Sequence, residues 1–191
     1  MNPYKQKQPR TVNAEPLNFS NVFLIGYRCT GKSTVGKLLA ARLAWTFADT
    51  DSLLVAEKQT NIREIVERFG WEDFRRWECE VVRRVCDQHR QVVATGGGVV
   101  LNAANVARMK GAGIIIWLRA TPETIRSRMV QDTDTKAFRP ALTEKDSITE
   151  IEETLLERET YYKRATDFSV DTDNRQIEEV CEAVMRHLLS L

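Results

Sequence analysis

Residues 26–33, GYRCTGKS, carry two glycines, a lysine and a hydroxyl at the spacing G-x-x-x-x-G-K-[S/T]. They follow an apolar run and precede a helical pattern, which is the context that a phosphate-binding loop requires. In such a loop, successive backbone N–H groups and the helix N-terminus form an anion cradle. Lys32 could then reach the β- and γ-phosphates of a nucleoside triphosphate, and the Ser33 hydroxyl could bind Mg²⁺. The alternative, a glycine-containing turn with an exposed lysine, does not explain why all these features occur together.

Two acids that could serve the phosphates and an acceptor follow the predicted strand at 46–48. Many such proteins hold magnesium with an Asp at the end of a later buried strand, but here the run 91–95 ends in three glycines. Asp49 and Asp51 instead lie at the carboxyl edge of the predicted sheet, where open α/β sheets bind ligands. In an extended chain they would point to opposite sides, so that one faces the metal and the other the acceptor. The alternative is an Asp-rich turn that caps the following helix.

Arg75 lies in a predicted helix at 71–89, on a semi-apolar stripe. Its guanidinium could bind the carboxylate of an acceptor through two parallel hydrogen bonds. It could equally form an ordinary helix ion pair with Glu72 or Glu78, and the residues alone leave these alternatives about even. The three glycines at 96–98 are typical of a tight turn after a strand, and they would also let a ligand approach the main chain.

The segment 131–147 is polar, with charges of both signs, a proline and no useful period. A loop of this length in a compact domain is often a functional lid, although a plain surface loop is the alternative. Arg139 in this segment is either simply solvated or carried by a closing lid to the transferring phosphoryl group. Arg158, in the next helical pattern, has a surface ion pair as its ordinary explanation.

Short apolar runs alternate with longer helical patterns along the chain. Several of the runs are apolar throughout, as expected for strands buried on both faces of a parallel sheet. The predicted strands are 22–25, 46–48, 91–95, 113–118 and 167–171. The helices are predicted to begin near residues 32, 71, 102, 122, 147 and 176. This alternation predicts a three-layer α/β/α fold with right-handed crossovers.

Composition and charge limit the classes of protein to which the chain can belong. The chain has 191 residues, of which 42% are hydrophobic and 29% charged, and its net charge is +1. No global field therefore attracts nucleic acid, and no apolar run approaches the ~20 residues that span a bilayer. Residues 1–20 are polar and are expected to form a disordered tail before one domain at 21–191. The four scattered cysteines suit reduced thiols in the cytoplasm, and without an exposed apolar stripe we expect a monomer.

The segments GYRCTGKST, DTD, FRRWE, TGGG, RP and LLERETYY occur in the order and approximate spacing of the shikimate kinases. The chain resembles that family from about residue 21 to residue 190. The resemblance implies Mg²⁺-dependent transfer of the γ-phosphoryl group of ATP to the 3-hydroxyl of shikimate, on the way to chorismate and the aromatic amino acids. It also implies the P-loop fold of the small nucleoside monophosphate kinases, with a five-stranded parallel sheet and a mobile lid.

The resemblance also implies a role for each matching residue. The expected nucleotide contacts are Cys29, Thr30, Gly31, Lys32, Ser33, Thr34, Arg128, Arg139 and Arg175. The expected shikimate contacts are Asp51, Arg75, Gly97, Gly98 and Arg158. Ser33 would bind Mg²⁺ directly and Asp49 would lie in its outer shell. The residues expected to act in catalysis are Lys32, Arg139 and Asp51, the last as candidate base.

The chain departs from the family pattern at Cys29, where the family usually has another glycine. A small thiol would fit and the cradle would survive if this residue kept a negative φ. The lid is also longer than in compact members, so the match at Arg128 depends on where a gap is placed.

Two alternatives remain open. A kinase of the same fold could act on gluconate or on a nucleoside monophosphate, although no base-reading groups for a nucleotide acceptor can be identified. A nucleotide-binding regulatory module without transfer chemistry would bind ATP but release no ADP in response to an acceptor. The joint presence of Asp51, Arg75 and Arg139 argues against such a module.

Overall fold

The computed structural model describes residues 18–131 and 148–191. In these residues, five β-strands form one parallel sheet. The strands are β1 (Asn21–Ile25), β2 (Thr46–Asp49), β3 (Gln91–Ala94), β4 (Ile114–Arg119) and β5 (Phe168–Asp171). Their order across the sheet is β2-β3-β1-β4-β5, and every neighbouring pair is parallel. The predicted five-stranded parallel sheet is confirmed, with each strand found to within one residue at either end.

Helices connect these strands. They are α1 (Lys32–Leu43), α2 (Thr50–Lys58), α3 (Ile62–Cys86), α4 (Ala103–Ala112), α5 (Pro122–Gln131), α6 (Ile148–Ala165) and α7 (Ile177–Leu188). A single 3-10 turn, Val99–Leu101, precedes α4. The predicted starts of α1, α4, α5, α6 and α7 are confirmed to within one residue.

The structure differs from the prediction between β2 and β3, where α2 and the first half of α3 were missed. The helix predicted to begin at residue 71 begins at Ile62, capped by Asn61, whose side chain accepts a hydrogen bond from the Glu64 N–H at 2.9 Å. Gly70 interrupts α3 with φ 79° and ψ 171°, so the predicted helix is its second half. The missed helices are short amphipathic segments that are stabilised by packing on each other, through Leu54 and Ile65.

The core lies on both faces of the sheet, and β1 shows why its sequence is apolar throughout. All five of its residues, Asn21–Ile25, are 0% exposed. Val22 and Leu24 pack with α1 and α7, whereas Phe23 and Ile25 pack with α3, α4 and α6 on the opposite face. A strand covered on both sides has no solvent-facing positions, so no polar alternation develops. The three-layer arrangement is therefore confirmed.

The carboxyl ends of β1, β2 and β3 lie side by side at one edge of the sheet, where the chain passes into loops. Thr95, just after β3, ties two of these ends together, because its N–H and its hydroxyl both donate to the Leu24 carbonyl oxygen, at 3.1 and 3.0 Å. The phosphate-binding loop, the two acids and the three glycines therefore meet at this edge.

Some predictions fall outside the described residues. Most of the expected tail at 1–20 and almost all of the expected lid at 131–147, with Arg139, lie there. Among the helices of residues 18–131 and 148–191, none combines the length and the apolarity needed to cross a membrane.

Candidate active site

The loop at residues 26–33 links β1 to α1 and has the backbone shape of an anion cradle. Gly26 (φ 141°) allows the chain to turn against β4, since a Cβ there would overlap the Leu118 carbonyl oxygen. Gly31 (φ 93°) is the N-cap of α1, so the first free N–H groups of the helix open into the loop. Lys32 is 8% exposed, and its ammonium donates to the carbonyl oxygens of Gly26 at 2.9 Å and Tyr27 at 2.6 Å. A cation is thus held at the mouth of the cradle.

Cys29 adopts the left-handed conformation with φ 60°, so the condition of a negative φ, under which we expected a thiol to fit, is not met. The cradle forms nevertheless, and the cost is local backbone strain, because a Cβ makes this region unfavourable. Cys29 lies between two glycines that also have positive φ, Gly26 and Gly31. Cys29 therefore occupies a position that suits glycine better.

Ser33 and Asp49 meet beside the loop. The Ser33 hydroxyl donates to Asp49 Oδ2 at 2.7 Å, while Asp49 Oδ1 accepts from the N–H groups of Asp51 at 3.1 Å and Ser52 at 3.2 Å. Asp49 is thus the N-cap of α2, as the alternative interpretation predicted, and it also faces the phosphate-binding loop with its other oxygen. A hydroxyl and a carboxylate side by side are oxygen donors of the kind that Mg²⁺ prefers, so the pair fits this metal.

Asp51 does not lie in extended chain, and that premise of the prediction is wrong. It lies in the first turn of α2, where the cap by Asp49 begins the helix. The two acids still face different neighbours, because helical rotation rather than strand alternation separates their side chains. Asp51 turns toward the glycines after β3: a Cβ at Gly96 would lie 2.8 Å from Asp51 Oδ1 and 2.9 Å from Glu78 Oε1. Gly96 therefore leaves room for two carboxylates.

Arg75 and Glu78 form the helix ion pair that was one of the two alternatives, with Nη1 and Oε2 at 2.7 Å. The pair is not a surface feature, because Glu78 is only 3% exposed. Burial raises the pKa of Glu78 above its ordinary value of 4.5, and the attraction of Arg75 offsets only part of that effect. A Cβ at Gly98 would overlap the Arg75 guanidinium, so this glycine admits the arginine. Arg75 is both an ion-pair partner and a lining residue of a cleft.

A cleft with about 520 Å³ of empty volume is built around these groups. Ile62, Trp71 and Phe74 form its apolar wall, and Trp71 is 41% exposed. Cations outnumber anions in the remaining lining. The charged residues are Arg28, Arg75, Arg158, Asp51 and Glu78, and Tyr27 with the main chain of Gly96, Gly97 and Gly98 completes the lining. Such a lining suits a small anion that also carries hydroxyl groups.

A second cleft, of about 810 Å³ empty volume, lies on the other side of the phosphate-binding loop. Arg128 lines it and donates to the Thr172 carbonyl oxygen at 2.7 Å, the Thr172 hydroxyl at 2.9 Å and the Cys29 carbonyl oxygen at 3.3 Å. The predicted residues that line this cleft are Cys29, Thr30, Gly31, Thr34, Arg128 and Arg175. The structure therefore places Arg128 beside the phosphate-binding loop, and this placement does not depend on where an alignment gap is put.

The loop is the wall between the two clefts. Tyr27 and Arg28 line the first cleft, and Cys29, Thr30 and Gly31 line the second. The glycine turn at residues 96–98 lies close to this wall: a Cβ at Gly97 would lie 3.4 Å from the Gly26 carbonyl oxygen and 3.6 Å from the Arg28 backbone nitrogen. A ligand in either cleft would thus end close to the other.

Sequence reasoning missed three residues of this site. Glu78 was considered only as an ordinary partner of Arg75, and its burial could not be known without the fold. Tyr162 is 0% exposed and donates from its hydroxyl to the Gly97 carbonyl oxygen at 2.6 Å. The available signal was its spacing, because it follows Arg158 by one helical turn. Arg28, inside the loop, was named in the motif but given no role.

Comparisons with known proteins show which family the chain belongs to. The family model for shikimate kinase matches residues 28–189. The shikimate kinase of Caldanaerobacter subterraneus is 40% identical over 171 residues, which cover 90% of this chain and 97% of that protein. A shikimate kinase from Acinetobacter baumannii in complex with shikimate superposes with a TM-score of 0.84 at 26% identity, covering 91% of this chain and 95% of that one. For the enzyme from Aquifex aeolicus the TM-score is 0.75 at 32% identity, with 88% and 95% covered. The chain belongs to the shikimate kinase family.

Proposed function

We propose that this protein is an ATP-dependent kinase that transfers the γ-phosphoryl group to the 3-hydroxyl of shikimate, giving shikimate 3-phosphate and ADP. The observation that carries the proposal is the shared wall between the two clefts, because a triphosphate on the loop would end where the acceptor cleft begins. Bringing the two reactants into contact provides much of the catalysis in phosphoryl transfer.

The acceptor cleft is suited to a monocarboxylate with several hydroxyl groups. Arg75 and Arg158 would bind the carboxylate, and a guanidinium can do so with two parallel hydrogen bonds. Asp51 would accept hydrogen bonds from the ring hydroxyls, and the main chain of Gly97 and Gly98 would contact the ring. The apolar wall of Trp71 and Phe74 would cover the carbon face.

The nucleotide would lie with its phosphates in the loop. Lys32 would exchange its two carbonyl partners for the β- and γ-phosphates, and Ser33 with Asp49 would hold Mg²⁺. When bound, Mg²⁺ neutralises phosphate charge that increases during transfer. Arg128 and Arg175 would contact the nucleoside part. Arg139, which lies outside the described residues, stays a predicted phosphate contact.

Asp51 would orient the 3-hydroxyl and accept its proton as the bond to phosphorus forms. The reaction asks mainly for positioning and charge stabilisation, so this proton transfer can occur late. Lys32 on the loop would stabilise the charge that spreads over the oxygens of the transferring group.

The test is acceptor-dependent release of ADP in a coupled assay, with shikimate, gluconate and nucleoside monophosphates compared at equal concentration. We expect ADP release with shikimate and not with the other two acceptors. ³¹P NMR of the shikimate product should show one phosphate monoester, at the 3-position. Release with gluconate in place of shikimate would identify the other acceptor class. ATP binding without release in any mixture would instead support the regulatory module. The cytoplasmic location, the monomeric state and the single domain at 21–191 stay predictions.

A further inference from the structure

The side chain of Tyr162 lies beneath the glycine turn, outside the cleft that the turn lines. Its hydroxyl donates to the Gly97 carbonyl oxygen at 2.6 Å, and its ring stacks on Trp117, with centroids 5.2 Å apart and an interplanar angle of 18°. Burial raises the pKa of Tyr162 far above its ordinary value of 10.0. At neutral pH the hydroxyl is therefore protonated and can donate a hydrogen bond.

The carbonyl groups of the turn and its first N–H have partners. The Gly96 N–H donates to the Thr50 hydroxyl at 3.0 Å, and the Gly96 and Gly98 carbonyl oxygens accept from Val99 and Leu101 at 3.2 and 3.1 Å. The Gly97 carbonyl oxygen is held by Tyr162. Peptide groups flanked by glycines rotate at little steric cost, so a specific hydrogen bond is needed to fix their direction.

The bond to Tyr162 also determines the direction of a donor on the opposite side. In a planar trans peptide, the C=O and the following N–H point in opposite directions. Because the Gly97 carbonyl points at Tyr162, the Gly98 N–H points away from it, to the side on which Gly97 and Gly98 line the cleft. Within residues 18–131 and 148–191, no hydrogen bond from the Gly98 N–H is found. This donor is therefore directed at the place where the acceptor would bind.

We propose that Tyr162 is a positioning residue for the acceptor, holding the Gly97 carbonyl so that the Gly98 N–H is presented to an oxygen of shikimate. The inference rests on the proposed function. Arg158, one helical turn earlier on α6, lines the same cleft and lies close enough to interact electrostatically with the Tyr162 hydroxyl. One buried hydroxyl thus links the helix that carries a carboxylate-binding arginine to the turn that carries a main-chain donor. Such support keeps donors in place before the substrate arrives.

The test is Tyr162→Phe, which removes the hydroxyl and keeps the ring on Trp117. The neighbouring Tyr161, which is 45% exposed, provides the matched control Tyr161→Phe. For Tyr162→Phe we expect the Kd and KM for shikimate to rise about 3- to 10-fold, the range that one hydrogen bond supplies. The KM for ATP should stay within about twofold in both variants, as should every constant of Tyr161→Phe. Unchanged shikimate binding in Tyr162→Phe, or an equal loss for ATP and shikimate, would overturn the proposal.

A second measurement follows the backbone amides of the glycine turn by NMR. The chain has 9 glycines, and only those at 96–98 are consecutive, so labelling glycine with carbonyl ¹³C and ¹⁵N leaves carbonyl-coupled amide signals from Gly97 and Gly98 alone. We expect shikimate to shift the Gly98 signal in the parent protein and to shift it much less in Tyr162→Phe. Equal shifts in both proteins would contradict the proposed role. If the parent neither binds nor phosphorylates shikimate, the proposed function fails; if it does both and the variant matches it, the inference alone fails.

Discussion

Replacing Cys29 by glycine should stabilise the protein relative to alanine at the same position. The residue has φ 60°, and a Cβ in this region costs about 1–2 kcal/mol. Replacing alanine by glycine removes this cost, but part of the gain is lost because the unfolded glycine variant has about 0.4–1 kcal/mol more conformational entropy to lose on folding. We therefore expect Cys29→Gly to be more stable than Cys29→Ala by about 0.5–1 kcal/mol. For a chain of this size, that difference corresponds to about 1–4 °C in Tm.

The comparison of glycine with alanine is the informative one. Cys29 packs partly against Tyr27, Ile125, Met129 and Ile151, and both variants lose the thiol, so this contact loss largely cancels between them. Urea unfolding of the ligand-free protein, followed by circular dichroism, measures the two free energies of unfolding. ATP binding should survive in both variants, because neither changes the path of the backbone.

A helical glycine gives the control with the opposite sign. Gly111 lies in α4, and a Cβ there would meet no atom within 4 Å. Gly111→Ala should therefore raise stability by about 0.5–1 kcal/mol, because alanine is the better helix former. If alanine is as good as or better than glycine at both positions, the left-handed strain inferred for Cys29 does not exist.

Three further predictions concern the charged groups of the site. Asp51→Asn should keep ATP binding, measured by calorimetry, and lower kcat about 100-fold or more, as expected for a general base; near-normal turnover would exclude this role. Lys32→Ala should weaken ATP binding and lower kcat/KM about 100-fold or more, so unchanged steady-state constants would contradict the phosphate-loop assignment. Burial raises the pKa of Glu78, so the folded chain holds this proton more tightly than the unfolded chain, and stability falls as pH rises from about 4.5 through the raised pKa. Glu78→Gln should remove that decline, so the difference between the free energies of unfolding of the variant and the parent should widen as pH rises. If the two free energies follow parallel curves against pH, other groups cause the decline.

The sheet and the phosphate-binding loop could be predicted because their causes are local in the sequence. A strand covered on both faces is a short apolar run, and the loop needs its glycines, lysine and hydroxyl within a few consecutive residues. By contrast, α2 and the first half of α3 were missed, because they depend on caps and on packing between Leu54 and Ile65. Helices of this length gain most of their stability from tertiary contacts.

Many of the residues that line the two clefts were named from the sequence, but their geometry was not predicted. Asp51, Arg75 and Arg158 were each identified from a motif, and each also had an ordinary structural explanation. Arg75 forms its helix ion pair and also lines the cleft, so the ion pair does not remove it from the candidate site. The premise that Asp49 and Asp51 lie in extended chain was wrong, because a cap formed by Asp49 begins a helix between them.

The sequence by itself determined the chemistry that is possible: an anion cradle with its lysine, acids at the end of a strand, and arginines able to bind a carboxylate. These properties follow from residue types and short spacings, which the chain carries in any conformation. Only the tertiary structure decided that the loop separates two clefts, that Glu78 is buried and that Tyr162 holds the glycine turn. These facts join residues from distant parts of the chain, and burial depends on which helices cover the sheet. Sequence spacing does not encode such distances.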